Sequence, residues 1–356
     1  MISYFTTGGR VTMQPGFSPS EIDTSRPHPA RLYNYYLGGK DNYMVDREAA
    51  MEVLRAAPDV RAMAQENRAF LQRMVRFLVG KAGIRQLIDI GTGIPAAGNV
   101  HEVAQQIAPD VRVAYVDNDP IVHVHACALL TGDGYTSIVL GDLREPEAII
   151  AHPRVRELID FSQPVAVLLV AILHFIKDDE NPVRIIAAFH DAMPPGSYLA
   201  LSHGTADFHA EAAVSQATAV YDRATAPLVL RGHEQIAGFF GGFDLVEPGL
   251  VQVPLWRPEL KPPGSRELAK IGIYGGVGRK AAAPWRASPS VGCGRVTQHG
   301  EAPPRAHLAG WRSQLQGAPR RRVGAGLQAG DAFGEFGAEV WVGGIAHVGG
   351  EGVQFP

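Results

Sequence analysis

The chain has 356 residues, 46% of them apolar and 19% charged, with a formal net charge of -3. That balance is ordinary for a soluble globular protein of one large domain with extensions, and it supplies no electrostatic argument for a nucleic-acid partner. The two cysteines, Cys127 and Cys293, belong to no CxxC or zinc spacing, which argues against a disulfide framework and leaves no metal site to expect.

In chain order, residues 1–29 are rich in Gly, Ser, Thr and Pro without periodicity and read as a flexible lead-in. Residues 1–19 hold no basic region followed by an apolar stretch, and the longest apolar run, 165–173, is too short to span a bilayer. The expectation is therefore a cytoplasmic protein without a membrane partner. Residues 30–80 carry a helical pattern in which Phe70, Met74, Phe77 and Leu78 make one apolar stripe, ended by Gly80 and Gly83.

From there strands and helices alternate. Strands are predicted at 86–90, 112–116, 136–140, 164–173 and 198–202, with short late strands at 243–246 and 271–274. Helices are predicted at 99–108, 121–130, 182–193, 207–224 and 233–240. The run 164–173 has no polar alternation, as a parallel strand buried on both faces requires. The alternation predicts an α/β, doubly wound, Rossmann-like sheet over residues 30–280. After Lys280 the composition changes: residues 281–356 contain no Lys, Asn, Tyr or Met. This low-complexity tail reads as disordered or foreign to the fold, either a linker-like tail or a frameshifted or read-through extension of a GC-rich gene.

Four strand ends carry chemistry. Leu87-Ile88-Asp89-Ile90-Gly91-Thr92-Gly93 runs a buried strand into a glycine turn, where the backbone can approach a ligand closely. A dinucleotide fingerprint would place a third glycine at 96, but Ala96 stands there. Tyr115-Val116-Asp117-Asn118-Asp119 ends the second strand, and Asp117 is placed to accept from both ribose hydroxyls of an adenosine ligand, while Asp119 suits a helix N-cap. In Gly141-Asp142-Leu143-Arg144, Asp142 can accept from an adenine amine with Leu143 against the ring; a plain turn aspartate is the alternative. His174, after the long buried strand, is either a general base or a lining group, and His203 ends the next strand.

These residues resemble an actinobacterial family of S-adenosylmethionine (SAM)-dependent methyltransferases of unestablished substrate. The likeness rests on Arg31-Leu32-Tyr33-Asn34-Tyr35-Tyr36-Leu37-Gly38-Gly39-Lys40-Asp41-Asn42-Tyr43, on the Gly91, Asp117, Asp142 and His174 segments, and on Tyr274-Gly275-Gly276-Val277-Gly278. It implies a class I methyltransferase fold with SAM at the Gly91, Asp117 and Asp142 loops, and the candidate cofactor residues are Tyr33, Asp89, Gly91, Thr92, Gly93, Asp117, Asn118, Asp142, Leu143 and His174. Residues 30–80 would form a lid whose tyrosines exclude water and embrace the sulfonium, with Tyr36, Asn42 and His174 around the transferred methyl; a helix-capping Gly38-Gly39 turn packed on the sheet by its aromatics is the alternative. The expected activity is methyl transfer to a small-molecule acceptor. A non-catalytic SAM-binding or regulatory protein and an NAD-dependent oxidoreductase are the rival readings.

Overall fold

A computed structural model describes residues 23–129, 134–259 and 261–281. Residues 1–22 of the expected lead-in, the tail from 282 onward and Cys293 lie outside the described residues.

Seven strands of the sheet stand in the order β3-β2-β1-β4-β5-β8-β6, with β7 paired on β8. The eight strands are β1 (Gln86–Ile90), β2 (Arg112–Asp117), β3 (Thr136–Leu140), β4 (Ala166–Val170), β5 (Tyr198–Gly204), β6 (Phe243–Leu245), β7 (Val251–Gln252) and β8 (Ile273–Lys280). β1 to β5 run parallel, and β8 is antiparallel to β5, β6 and β7. The late strand was expected at 271–274 only. Its continuation is glycine-rich, which weakens strand propensity, yet here the missing side chains make room for aromatic rings. A Cβ on Gly275 would stand 2.8 Å from Val253 Cγ1 and 2.9 Å from Phe70 Cζ, and one on Gly278 would stand 2.7 Å from Phe243 Cβ.

The helices are α1 (Pro29–Tyr36), α2 (Met44–Ala56), α3 (Val60–Gly80), α4 (Val100–Gln105), α5 (Pro120–Leu129), α6 (Pro146–Ala151), α7 (Pro153–Leu158), α8 (Pro182–Ala192), α9 (Glu211–Tyr221), α10 (His233–Gly238) and α11 (Ser265–Leu268). Alternate residues of each central strand bury against opposite layers. Ile88, Val116, Val167 and Leu201 pack with Ile149, Ile185 and Phe189 from α6 and α8. Leu87, Val113, Leu168 and Ala200 pack with Phe70, Met74 and Val103 from α3 and α4. Helices thus cover both faces, as an apolar parallel sheet demands.

A third apolar cluster joins Leu32 and Tyr36 of α1, Ala50 and Val53 of α2, and Val220 and Tyr221 of α9. The helical stretch at 30–80 is therefore three helices. Two departures from expectation position the site. The lead-in is tied down well before residue 30: Thr225 N–H donates to Pro27 O at 3.0 Å, and His28 N–H to Asp46 Oδ1 at 3.0 Å. The fourth strand stops at Val170, because Ala171 takes a left-handed φ of 55°. Its N–H donates to Ser202 Oγ at 3.0 Å, and Leu173–Phe175 then make a 3-10 turn.

Candidate active site

The carboxyl ends of β1 to β5 and helices α1, α3 and α9 enclose a cavity of about 650 Å³. Its sheet side is built from turns that the sequence singles out. Gly91 has a φ of 71° and Gly93 of 67°, both left-handed, where a side chain would be strained. A Cβ on Gly91 would also stand 2.6 Å from Ile172, whereas above Gly93 there is open space. Gly93 N–H donates to Asp117 Oδ2 at 2.8 Å, and Asp119 N–H to Asp117 Oδ1 at 2.9 Å. Each carboxylate oxygen keeps a lone pair for a further donor. Thr92 turns its hydroxyl onto Asp89 O at 2.9 Å. Asp119 Oδ1 accepts Ile121 N–H at 2.9 Å, which is the N-cap role expected of it.

At the next loop Asp142 Oδ1 accepts Arg144 N–H at 2.9 Å, Asn118 is exposed beside it, and Leu143 is buried on the cavity wall. Arg144 in turn holds Glu180, joining this loop to the turn after β4. Burial raises Asp89 to about 7 and Asp117 to about 6, since a low-dielectric wall disfavours the charged carboxylate. Arg68 of α3 opposes the rise at Asp89, and Asp117 adds to it. A cavity edge with open carboxylate lone pairs at Asp117, an uncovered glycine turn and two buried acids, Asp89 and Asp117, fits an adenosine ligand that carries an ammonium group.

The other half of the cavity lies under the helices. Tyr33 donates to Ala64 O at 3.1 Å and accepts from Asn67 Nδ2 at 3.0 Å. Asn67 Oδ1 accepts Ser202 Oγ–H at 2.6 Å, so α1 and α3 are bonded to the tip of β5. Tyr36 Oη and Tyr221 Oη lie 3.2 Å apart. Burial pushes Tyr221 up to about 12 and Tyr36 further still, so both are neutral phenols.

His174 lines the cavity, and its Nδ1 accepts Gly204 N–H at 3.1 Å. Burial, with His203 and Arg231 beside it, holds it well below the usual imidazole range. The neutral ring therefore carries its hydrogen on Nε2 and offers a donor, which takes the general-base option away from it. His203 is fully buried between Gly204 O at 2.7 Å and Arg231 Nη1 at 3.0 Å.

Asn42 is brought elsewhere. Its Nδ2 donates to Asn34 Oδ1 at 2.7 Å and to Gly39 O at 3.0 Å, and its Oδ1 accepts Arg47 Nε–H at 2.7 Å. It closes the turn between α1 and α2, and the cavity wall does not include it. Tyr35 and Tyr43 also turn away, lying under Arg61 and Arg31 respectively. Asn67, Arg68, His209 and Tyr221 reach the cavity although the motifs do not single them out. Asn67 had a signal: it is a polar residue in the apolar stripe running from Ala64 to Phe70.

A family model described as S-adenosyl methyltransferase matches residues 15–281. The chain belongs to the S-adenosyl methyltransferase family. Its cofactor is SAM. A DUF574 family protein from Streptomyces avermitilis is 42% identical, with a TM-score of 0.70 over 73% of this chain and 99% of that one. A candidate methyltransferase from Thermobifida fusca is 41% identical, with a TM-score of 0.69 over 75% and 99% of the two chains. No curated protein matches the sequence. The S-adenosyl methyltransferase sheet accounts for the placement of Asp117 and Asp142 at one edge. Among the described residues no group of three or more His, Cys, Asp or Glu side chains gathers as a metal site. No described helix is long and apolar enough to cross a membrane.

Proposed function

We propose that this chain transfers a methyl group from SAM to a small, uncharged acceptor bound under the helices. The observation that carries the reading is the continuity of the cavity. It runs from the acids at the ends of β1 to β3 into a chamber walled by Tyr33, Tyr36, Phe175, Tyr221 and Leu228. From His174 onward none of its lining residues is Asp, Glu, Lys or Arg.

When bound, SAM supplies an activated methyl group on a sulfonium. The chain's own residues bind and align. Asp117 accepts from the ribose hydroxyls, Asp142 from the adenine amine, and Leu143 packs on the ring. Asp89 answers the ammonium end, with Arg68 nearby for the carboxylate. Arg68 has the capacity, since its Nε is buried without a hydrogen-bond partner while Nη2 holds Ala96 O at 2.8 Å. Tyr33 and Tyr36 on the cavity wall exclude water, and His174 donates its Nε2–H into the chamber. Methyl transfer is an in-line displacement, so fixing donor and acceptor in a dry, rigid chamber lowers much of the barrier.

Turnover on a panel of small neutral acceptors with methyl-labelled SAM checks the reading. Acceptor-dependent release of S-adenosylhomocysteine, one per labelled product, is the expected result. Tight SAM binding with no release across phenols, alcohols, amines and thiols would contradict it and favour a non-catalytic SAM-binding protein.

A further inference from the structure

We infer that His209 is the proton acceptor of this site and that the methyl acceptor is a small neutral phenol. The inference rests on the methyl-transfer reading above. The chamber offers few groups able to take a proton. His174 has its Nδ1 spent on Gly204 N–H, and Tyr36 and Tyr221 are neutral phenols spent on each other. His209 differs: it stands on the cavity wall, and its Nε2 is buried without a hydrogen-bond partner. A buried imidazole nitrogen left unpaired on a cavity wall calls for an occupant.

The turn that carries His209 is held firmly. Its N–H donates to Ala206 O at 3.1 Å, Asp207 N–H donates to Thr205 Oγ1 at 3.2 Å, and the Phe208 and Tyr274 ring centroids lie 5.3 Å apart. The ring itself lies over Gly272, where an added Cβ would stand 2.8 Å from Cε1 and 2.9 Å from Nδ1. A glycine there is what gives the imidazole its seat.

The acceptor's class follows from the surroundings. The lining residues from His174 onward, His209 among them, include no carboxylate to hold an ammonium and no Lys or Arg to hold a carboxylate; the charged lining residues all precede them in the chain, from Asp23 to Arg144. An aliphatic hydroxyl is too weak an acid to give its proton to an imidazole, whereas a phenol, with a pKa of about 10, lies within reach as its oxygen bonds to carbon. Aromatic walls suit an aromatic guest. In the step, a lone pair of the phenol oxygen forms the bond to the methyl carbon as the carbon–sulfur bond breaks. The bonding pair stays with sulfur, giving S-adenosylhomocysteine, and the hydroxyl proton passes to His209 Nε2 and then to solvent.

The test is spectroscopic and needs no turnover. 4-Nitrophenol is titrated into the full-length protein loaded with S-adenosylhomocysteine, at mildly acidic pH where the free phenol is mostly neutral. Bound probe should show an enhanced phenolate band in the wild type, lost in His209→Gln and His209→Asn. Each variant's affinity for S-adenosylhomocysteine, expected unchanged, reports folding and separates this inference from the cofactor reading. Failure of the loaded protein to bind the probe, or an equal phenolate band in a variant that still binds S-adenosylhomocysteine, would overturn it. Failure of the wild type to bind S-adenosylhomocysteine would take the methyl-transfer reading down as well.

Discussion

Asp89 and Asp117 stand at the ends of adjacent strands, and burial keeps both partly protonated near neutrality, at about 7 and about 6. Both values lie above the ordinary carboxyl range, so the folded protein binds more protons than the unfolded chain does. Their contribution to stability is fully present below the unfolded value and is lost as pH rises through 6 and 7. A ligand bringing an ammonium and ribose hydroxyls offsets that loss. The melting-temperature gain from saturating S-adenosylhomocysteine should therefore grow between pH 5 and pH 8, and Asp89→Asn should flatten the rise. A gain independent of pH in the wild type would show that these acids do not face the ligand. At this scale Gly91, Asp117 and Asp142 were legible because strand ends followed by glycine or aspartate are local patterns. Asn42 was not, because its partners Asn34 and Arg47 are fixed by the geometry of a turn. The donor role of His174 depends on Gly204 N–H, thirty residues away in sequence.

Helices α1 and α2 are held by a buried ionic cluster as well as by apolar packing. Arg31 on α1 is 2% exposed and approaches Asp46 on α2 at 3.6 Å and Asp119 at 3.5 Å. Asp46 also accepts Tyr43 N–H at 2.9 Å, capping α2. Removing Asp46 leaves the buried Arg31 with Asp119 in place of two carboxylates, and α2 without its cap. Asp46→Ala should cost about 3–5 kcal/mol of unfolding free energy in denaturant titration. A loss near that of an exposed ion pair, below about 1 kcal/mol, would mean that water reaches the cluster. β1 to β5 could be read from apolar runs alone. The extent of β8 could not, since its glycines look like a turn until Phe70 and Phe243 are seen packed against them. Helices α6 and α7, six residues each, are too short to show a period.

At the scale of the whole molecule, the carboxyl edge of the sheet and helices α1, α3 and α9 line one cavity. The sheet was legible in the sequence, and so was the presence of helices before it. The wall they make with α9 was not, because Tyr36 and Tyr221 meet across 185 residues of chain. The measurement that bears most directly on the central claim is calorimetric titration of the full-length protein with S-adenosylhomocysteine and with NAD, in wild type and Asp117→Ala. On the proposed placement, loss of the Asp117 carboxylate removes charge-assisted hydrogen bonds to the ribose, about 1.5–3 kcal/mol, so binding of S-adenosylhomocysteine should weaken about 10- to 100-fold. NAD should not bind. Equal affinity of the two proteins for S-adenosylhomocysteine, or preferential binding of NAD, would contradict the placement of the cofactor at this edge.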